Sequence, residues 1–314
     1  MCFDSSIPYF FPIGNLIEAI HELPVLESEN NGSTIIMFTM KVSGLTDVGR
    51  VRDHNEDAYL IDNSLLIVAD GMGGAAAGEV ASSIAIKTIS EDLSDFSYTN
   101  NKEAIKILQN SIKKADEEIK VQMEQDPTLH GMGTTLVIAL HFDSHLLIGN
   151  VGDSRAYIIA KQNAGIHKES DENFISKAEA KTGALPKFEI DKKNRGSESI
   201  TRLTEDHSVV MEMVNSGVIS EEDIRTHPLR NRITRCLGSI VGSKPDFLWH
   251  EISNGDTLLL CSDGLWEMVH EDLILAIVNS SSNPEDICKR LITAANNSGG
   301  ADNITVITAV FEKK

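Results

Sequence analysis

The sequence predicts an α+β protein: a sandwich of two antiparallel β-sheets flanked by helices on both outer faces. Three observations predict it. Strongly apolar runs such as Leu65–Ala69, Leu146–Val151 and Leu258–Cys261 recur along the chain. Two separate stretches carry paired helical periodicity. Connections as short as Asp143-Ser144 join neighbouring runs, which suits antiparallel strands and not crossovers. The order is strands, a helix pair, strands, then strands and a helix pair again, so each sheet acquires a helical layer of its own.

The elements follow in order. Lys41–Thr46, Ala58–Ile61 and Leu65–Ala69 read as strands. A helix is expected from about Gly78 to Leu93, with Ile86, Ile89 and Leu93 on one face. A second runs from about Lys102 to Gln125, where Ile105, Leu108, Ile112, Ala115 and Ile119 recur at helical spacing until Asp126-Pro127 ends it. Strands are expected at Thr134–Phe142, Leu146–Val151 and Ala156–Ala160. A helix follows near Ser208–Asn215, then strands near Phe247–Ile252 and Thr257–Cys261. Two helices within 271–297 and a last strand, Ile304–Phe311, complete the set.

Residues 1–40 differ from the rest. They are acidic, hold Pro8, Pro12 and Pro24, and contain no Lys or Arg before Lys41. They read as a dispensable extension ahead of a domain spanning 41–314. Residues 161–199 are polar, lack sustained periodicity and carry eight of the 28 basic residues, so they read as a surface insertion.

Composition narrows the function. The chain has 314 residues, 41% hydrophobic, and a net charge of −19. Such a surface repels nucleic acid and anionic membrane and attracts cations. No apolar stretch is long enough to span a bilayer, and no basic n-region marks a secretory signal. Cys2, Cys236, Cys261 and Cys288 form no CxxC pair, which suits a reducing, cytoplasmic setting without zinc.

Aspartates stand at the tips of the apolar runs. Asp70, Asp153 and Asp263 each end one, and Asp302 stands just ahead of Ile304–Ile307. Two carboxylates about 5 Å apart repel by roughly 3 kcal/mol at an effective dielectric of about 20. A cluster of them needs cations, and oxygen-only donors suit Mg²⁺ or Mn²⁺. Asp70-Gly71-Met72-Gly73-Gly74 lacks the Gly-Lys-Ser/Thr of a nucleotide-binding P-loop. Its glycines instead let backbone approach an ion, so the Gly71 carbonyl is a candidate ligand. Arg52 offers a cationic fork for phosphate, and Glu56 and Asp57 can hydrogen-bond metal-held water.

Gly131-Met132-Gly133-Thr134-Thr135, Gly152-Asp153-Ser154-Arg155, Thr204–Ser208, Asn231–Gly238, Ser262–Trp266 and Gly300–Thr305 complete the motif set. With these in order over about residues 41–311, the sequence resembles a metal-dependent protein serine/threonine phosphatase of the type 2C family, in its bacterial form. The resemblance implies hydrolysis of phosphoserine and phosphothreonine on phosphoprotein substrates, opposite a partner kinase, by water activated between two Mn²⁺ or Mg²⁺ ions. It implies that Asp70 bridges the ions, that Asp263 and Asp302 ligate one, and that Gly71 binds the other. Glu56 and Asp57 would hold the water shell and Arg52 the phosphate. Asp153 would join Asp263 at a weaker third ion, and residues 206–232 would form a flap beside the site. Animal members often carry a histidine where Met72 stands, so the leaving-group proton is expected from elsewhere, with Asp153 the candidate. A phosphate-binding pseudoenzyme and a two-metal nuclease or phosphodiesterase are the competing readings. The intact acidic set argues against the first and the missing basic groove against the second.

Overall fold

The computed structural model describes residues 38–74, 77–94, 96, 100–160, 199–239 and 242–314. Most of the expected extension, and residues 161–198 of the expected insertion, lie outside them. Every strand pair is antiparallel. One sheet has the order β1 (Phe38–Asp47), β11 (Ile304–Lys313), β10 (Thr257–Cys261), β7 (Arg155–Ala160) and β8 (Ser199–Arg202). The other has β2 (Asp57–Asp62), β3 (Leu65–Met72), β5 (Leu136–Phe142), β6 (His145–Val151) and β9 (Asp246–Glu251), with the two-residue β4 (Gly133–Thr134) against β3.

Alternation along the strands builds three apolar layers. Leu66 and Val68 face inward and meet Ile158, Leu258, Leu260 and Ile307 of the opposite sheet. Their neighbours Leu65 and Ile67 face outward onto α1 (Ala77–Asp92) and α2 (Asn101–Gln125). Strands buried on both faces are apolar at nearly every position, which is why they read as continuous runs. On the far side, Tyr157, Leu259 and Val306 pack under α3 (Val209–Asn215), α4 (Asp263–Trp266), α5 (Glu271–Asn279) and α6 (Pro284–Asn297). Leu108, Ile112 and Ile119 of α2 are fully buried, and each stabilises the fold by about 1.5–3 kcal/mol. Helix starts follow their caps: the Asn100 side chain accepts from the Glu103 N–H, and Asn283 accepts from Glu285 with Pro284 next.

The sandwich with helices outside is the expected architecture, and four details differ. β1 starts at Phe38, inside the stretch assigned to the extension, because Phe38 fills the layer between the sheets. The single strand expected at 134–142 breaks at Thr135, whose N–H donates to the Asp70 carbonyl (2.9 Å) and whose hydroxyl accepts from the Asp70 N–H (3.0 Å). No helix was expected directly after Thr257–Cys261, yet Asp263–Trp266 forms the short helix α4. The edge strand β8 lies where no strand was expected; Ile200 is its one apolar residue.

Candidate metal centre

The acidic residues meet at one end of the sandwich, where the strands run out. Register explains much of this. Asp57 pairs directly with Asp70 across β2 and β3. Arg155 pairs with Cys261 across β7 and β10, and two further residues along each strand bring Asp153 level with Asp263. Asp302 arrives from the loop before β11, which lies beside β10. Register within each sheet thus brings Asp57 to Asp70 and Asp153 to Asp263, and the loop before β11 adds Asp302.

Their mutual influence is strong. Burial, then Asp57, Asp263, Asp153 and Asp302, push the Asp70 carboxyl well above the usual range. Asp263 is pushed up by burial, then by Asp153, Asp302, Glu267 and Asp57. Burial raises Asp57 to about 6, even though Thr305 and Ser262 hydrogen-bond it. Asp153 rises to about 7 through burial and the neighbouring Asp206. These groups resist ionisation together, and a cation is what would let them ionise.

The donors fit a hard divalent ion. All are oxygens, and the buried Oδ1 atoms of Asp263 and Asp57 have no hydrogen-bond partner. Among the described residues, no group of three or more His, Cys, Asp or Glu side chains stands in an arrangement that could hold a metal ion as it is. Two of the candidates are held by protein groups instead. Ser262 donates to Asp57 Oδ2 (2.7 Å), and Arg52 Nη2 pairs with Asp302 Oδ2 (2.7 Å). Arg52 is half exposed at the rim; burial works against its charge, yet Asp302, then Asp263 and Glu56, raise its pKa.

Glu56 and Gly71 belong to the same knot. The Gly71 N–H donates to the Glu56 carbonyl (3.2 Å), and Glu56 Oε1 accepts from the Gly78 N–H at the start of α1 (3.2 Å). A Cβ on Gly71 would stand 2.1 Å from the Gly78 carbonyl oxygen, so only glycine allows this approach. The stretch expected to form a flap is closed at its base. The Val209 N–H donates to the Arg232 carbonyl (2.8 Å) and the Thr234 N–H to the His207 carbonyl (2.7 Å).

Several supporting residues stood inside quoted motifs without a role of their own. Asn303 Oδ1 accepts from the Glu56 N–H (2.9 Å), and its Nδ2 donates to the Val48 and His54 carbonyls. Ser262 bridges Asp57 and the Thr305 N–H. The buried Arg155 forms a two-pronged pair with Asp206 at 2.9 and 2.6 Å. Asn303 and Ser262 each adjoin a chosen aspartate, which is the one signal that could have found them.

The known proteins similar to this chain are serine/threonine phosphatases. The chain is 37% identical over 268 residues to the serine/threonine phosphatase Stp of Listeria monocytogenes, covering 83% of this chain and 92% of that one. The structure of the Staphylococcus aureus serine/threonine phosphatase Stp1 matches with a TM-score of 0.72 at 30% identity, over 90% of this chain and 100% of that one. The catalytic domain of the serine/threonine phosphatase PstP, solved in complex with two manganese ions, matches with a TM-score of 0.69 at 29% identity, over 88% and 99%. With the protein phosphatase 2C family model matching residues 46–304, nearly the whole described body, the chain belongs to that family.

Proposed function

We propose that this chain, a metal-dependent serine/threonine phosphatase by family, cleaves phosphoserine and phosphothreonine on proteins with Asp70, Asp263, Asp302 and the Gly71 carbonyl as metal ligands. The carrying observation is the partnerless Asp263 Oδ1, buried among carboxylates that repel one another. When bound, two Mn²⁺ or Mg²⁺ ions supply an acidified water and offset phosphoryl charge. The protein's own groups do the rest. Glu56 and Asp57 orient water through oxygens held by Gly78 and Ser262. Arg52 leaves Asp302 to clamp two phosphoryl oxygens with its fork. Asp153 would join Asp263 in holding a weaker third ion, and its carboxyl is the group proposed to supply the leaving-group proton, a task for which Met72 has no proton.

The substrates are phosphoproteins, and a partner kinase that writes the same phosphates is part of this proposal. The proposed setting is cytoplasmic. No helix among the described residues is long and apolar enough to cross a membrane. Phosphate release from a phosphothreonine peptide, with and without Mn²⁺, tests the reading. Asp263→Ala should lose several kcal/mol of transition-state stabilisation, about 10³-fold in rate. Unchanged turnover in that variant would overturn the ligand assignment.

A further inference from the structure

We infer that Arg155 is a positioning residue that sets the spacing between Asp153 and Asp263. This deepens the proposed function and rests on its assignment of these two aspartates to a weaker third ion. Arg155 is 4% exposed, yet every arm of its guanidinium is engaged. Nε and Nη2 hold the Asp206 carboxylate, and Nη1 donates to the Tyr157 hydroxyl (3.0 Å). The guanidinium carbon lies 3.6 Å from the centre of the Trp266 ring.

Trp266 makes the connection. Its Nε1–H donates to the Asp153 carbonyl (2.9 Å), and it ends α4, the helix that Asp263 begins. One flat cation thus presses the indole that ties the Asp153 backbone to the Asp263 helix. The sheet adds a second tie, because Arg155 pairs with Cys261 two residues before Asp263. Asp206 fixes the fork from the other side, at the base of the closed 206–232 stretch. Lysine would keep the charge but lose the fork and the flat stack. Partners that orient ligands commonly alter metal affinity by about 10–100-fold.

Calorimetric titration of the metal-free full chain with Mn²⁺ tests this, using wild type, Arg155→Lys and Trp266→Phe. Activity towards a phosphothreonine peptide is followed in parallel. Both variants should weaken the weakest Mn²⁺ event about tenfold. The tighter events should move less than about twofold, and KM for the peptide should stay nearly constant while kcat falls. Folded variants that bind Mn²⁺ as wild type does would overturn the inference, as would equal weakening of every event. If Arg155→Lys does not fold, Trp266→Phe decides the matter; if neither folds, the role is structural and the inference fails. Wild type without Mn²⁺-dependent hydrolysis would instead overturn the proposed function.

Discussion

Removing the divalent ions should make stability fall as pH rises, the reverse of ordinary acid denaturation. The cause is the set of buried carboxyls held protonated in the native chain. Asp57 moves from 3.8 to about 6 and Asp153 from 3.8 to about 7. A native state that binds more protons than the unfolded chain loses stability as pH climbs from about 4, and the loss is complete above the folded values. At 1.36 kcal/mol per unit, Asp57 contributes about 3 kcal/mol and Asp153 about 4 kcal/mol. Their sum, at most about 7 kcal/mol, is comparable to the whole stability of many domains. Metal ions require the ionised form, so their binding strengthens over the same range and reverses the trend. Urea unfolding followed by tryptophan emission at pH 5, 6 and 7 measures this, in chelator and in saturating Mn²⁺. The unfolding free energy in chelator should drop by several kcal/mol across the series and should not drop with Mn²⁺. A flat profile in chelator, or parallel profiles in both media, would refute the reasoning.

Two further outcomes follow from named contacts. Asn303→Ala strips partners from the Glu56 N–H and the Val48 and His54 carbonyls, so it should cost about 3 kcal/mol of stability in urea unfolding and raise the Mn²⁺ requirement for turnover. Arg52→Ala should lower kcat/KM by about 10–100-fold, the weight of one or two charge-assisted hydrogen bonds. It should leave Mn²⁺ binding intact or tighter, because Asp302 loses a competing cation; calorimetry separates the two effects.

The architecture was largely legible because both sheets are covered on both faces. Leu65–Ala69 and Thr257–Cys261 have no polar side to hide, so their apolar runs marked them. β8 escaped because it is a four-residue edge strand whose environment comes from β7. The break at Thr135 escaped because its cause is Asp70, 65 positions away. The aspartates of the site could be read because each adjoins an apolar run. Arg155 and Asp206 stood inside quoted motifs, but their pairing could not be read, since a buried ion pair 51 residues apart leaves no local pattern. Asn303 lay in plain sight beside Asp302, but its three bonds reach back to residues near the start of the domain.

The ladder between β1 and β11 has a consequence for biosynthesis. Thr39 and Glu312 are hydrogen-bonded to each other across 273 positions, and among the described residues β11 is the sole ladder neighbour of β1. A ribosome adding about 5–20 residues per second leaves β1 waiting tens of seconds for its mate. Throughout that interval it is an open edge that other nascent chains could join. Asp302 emerges just ahead of β11, so a prematurely terminated product would lack both the sheet closure and a carboxylate of the centre. Such fragments would be aggregation-prone and, on the proposed ligand set, unable to remove phosphate.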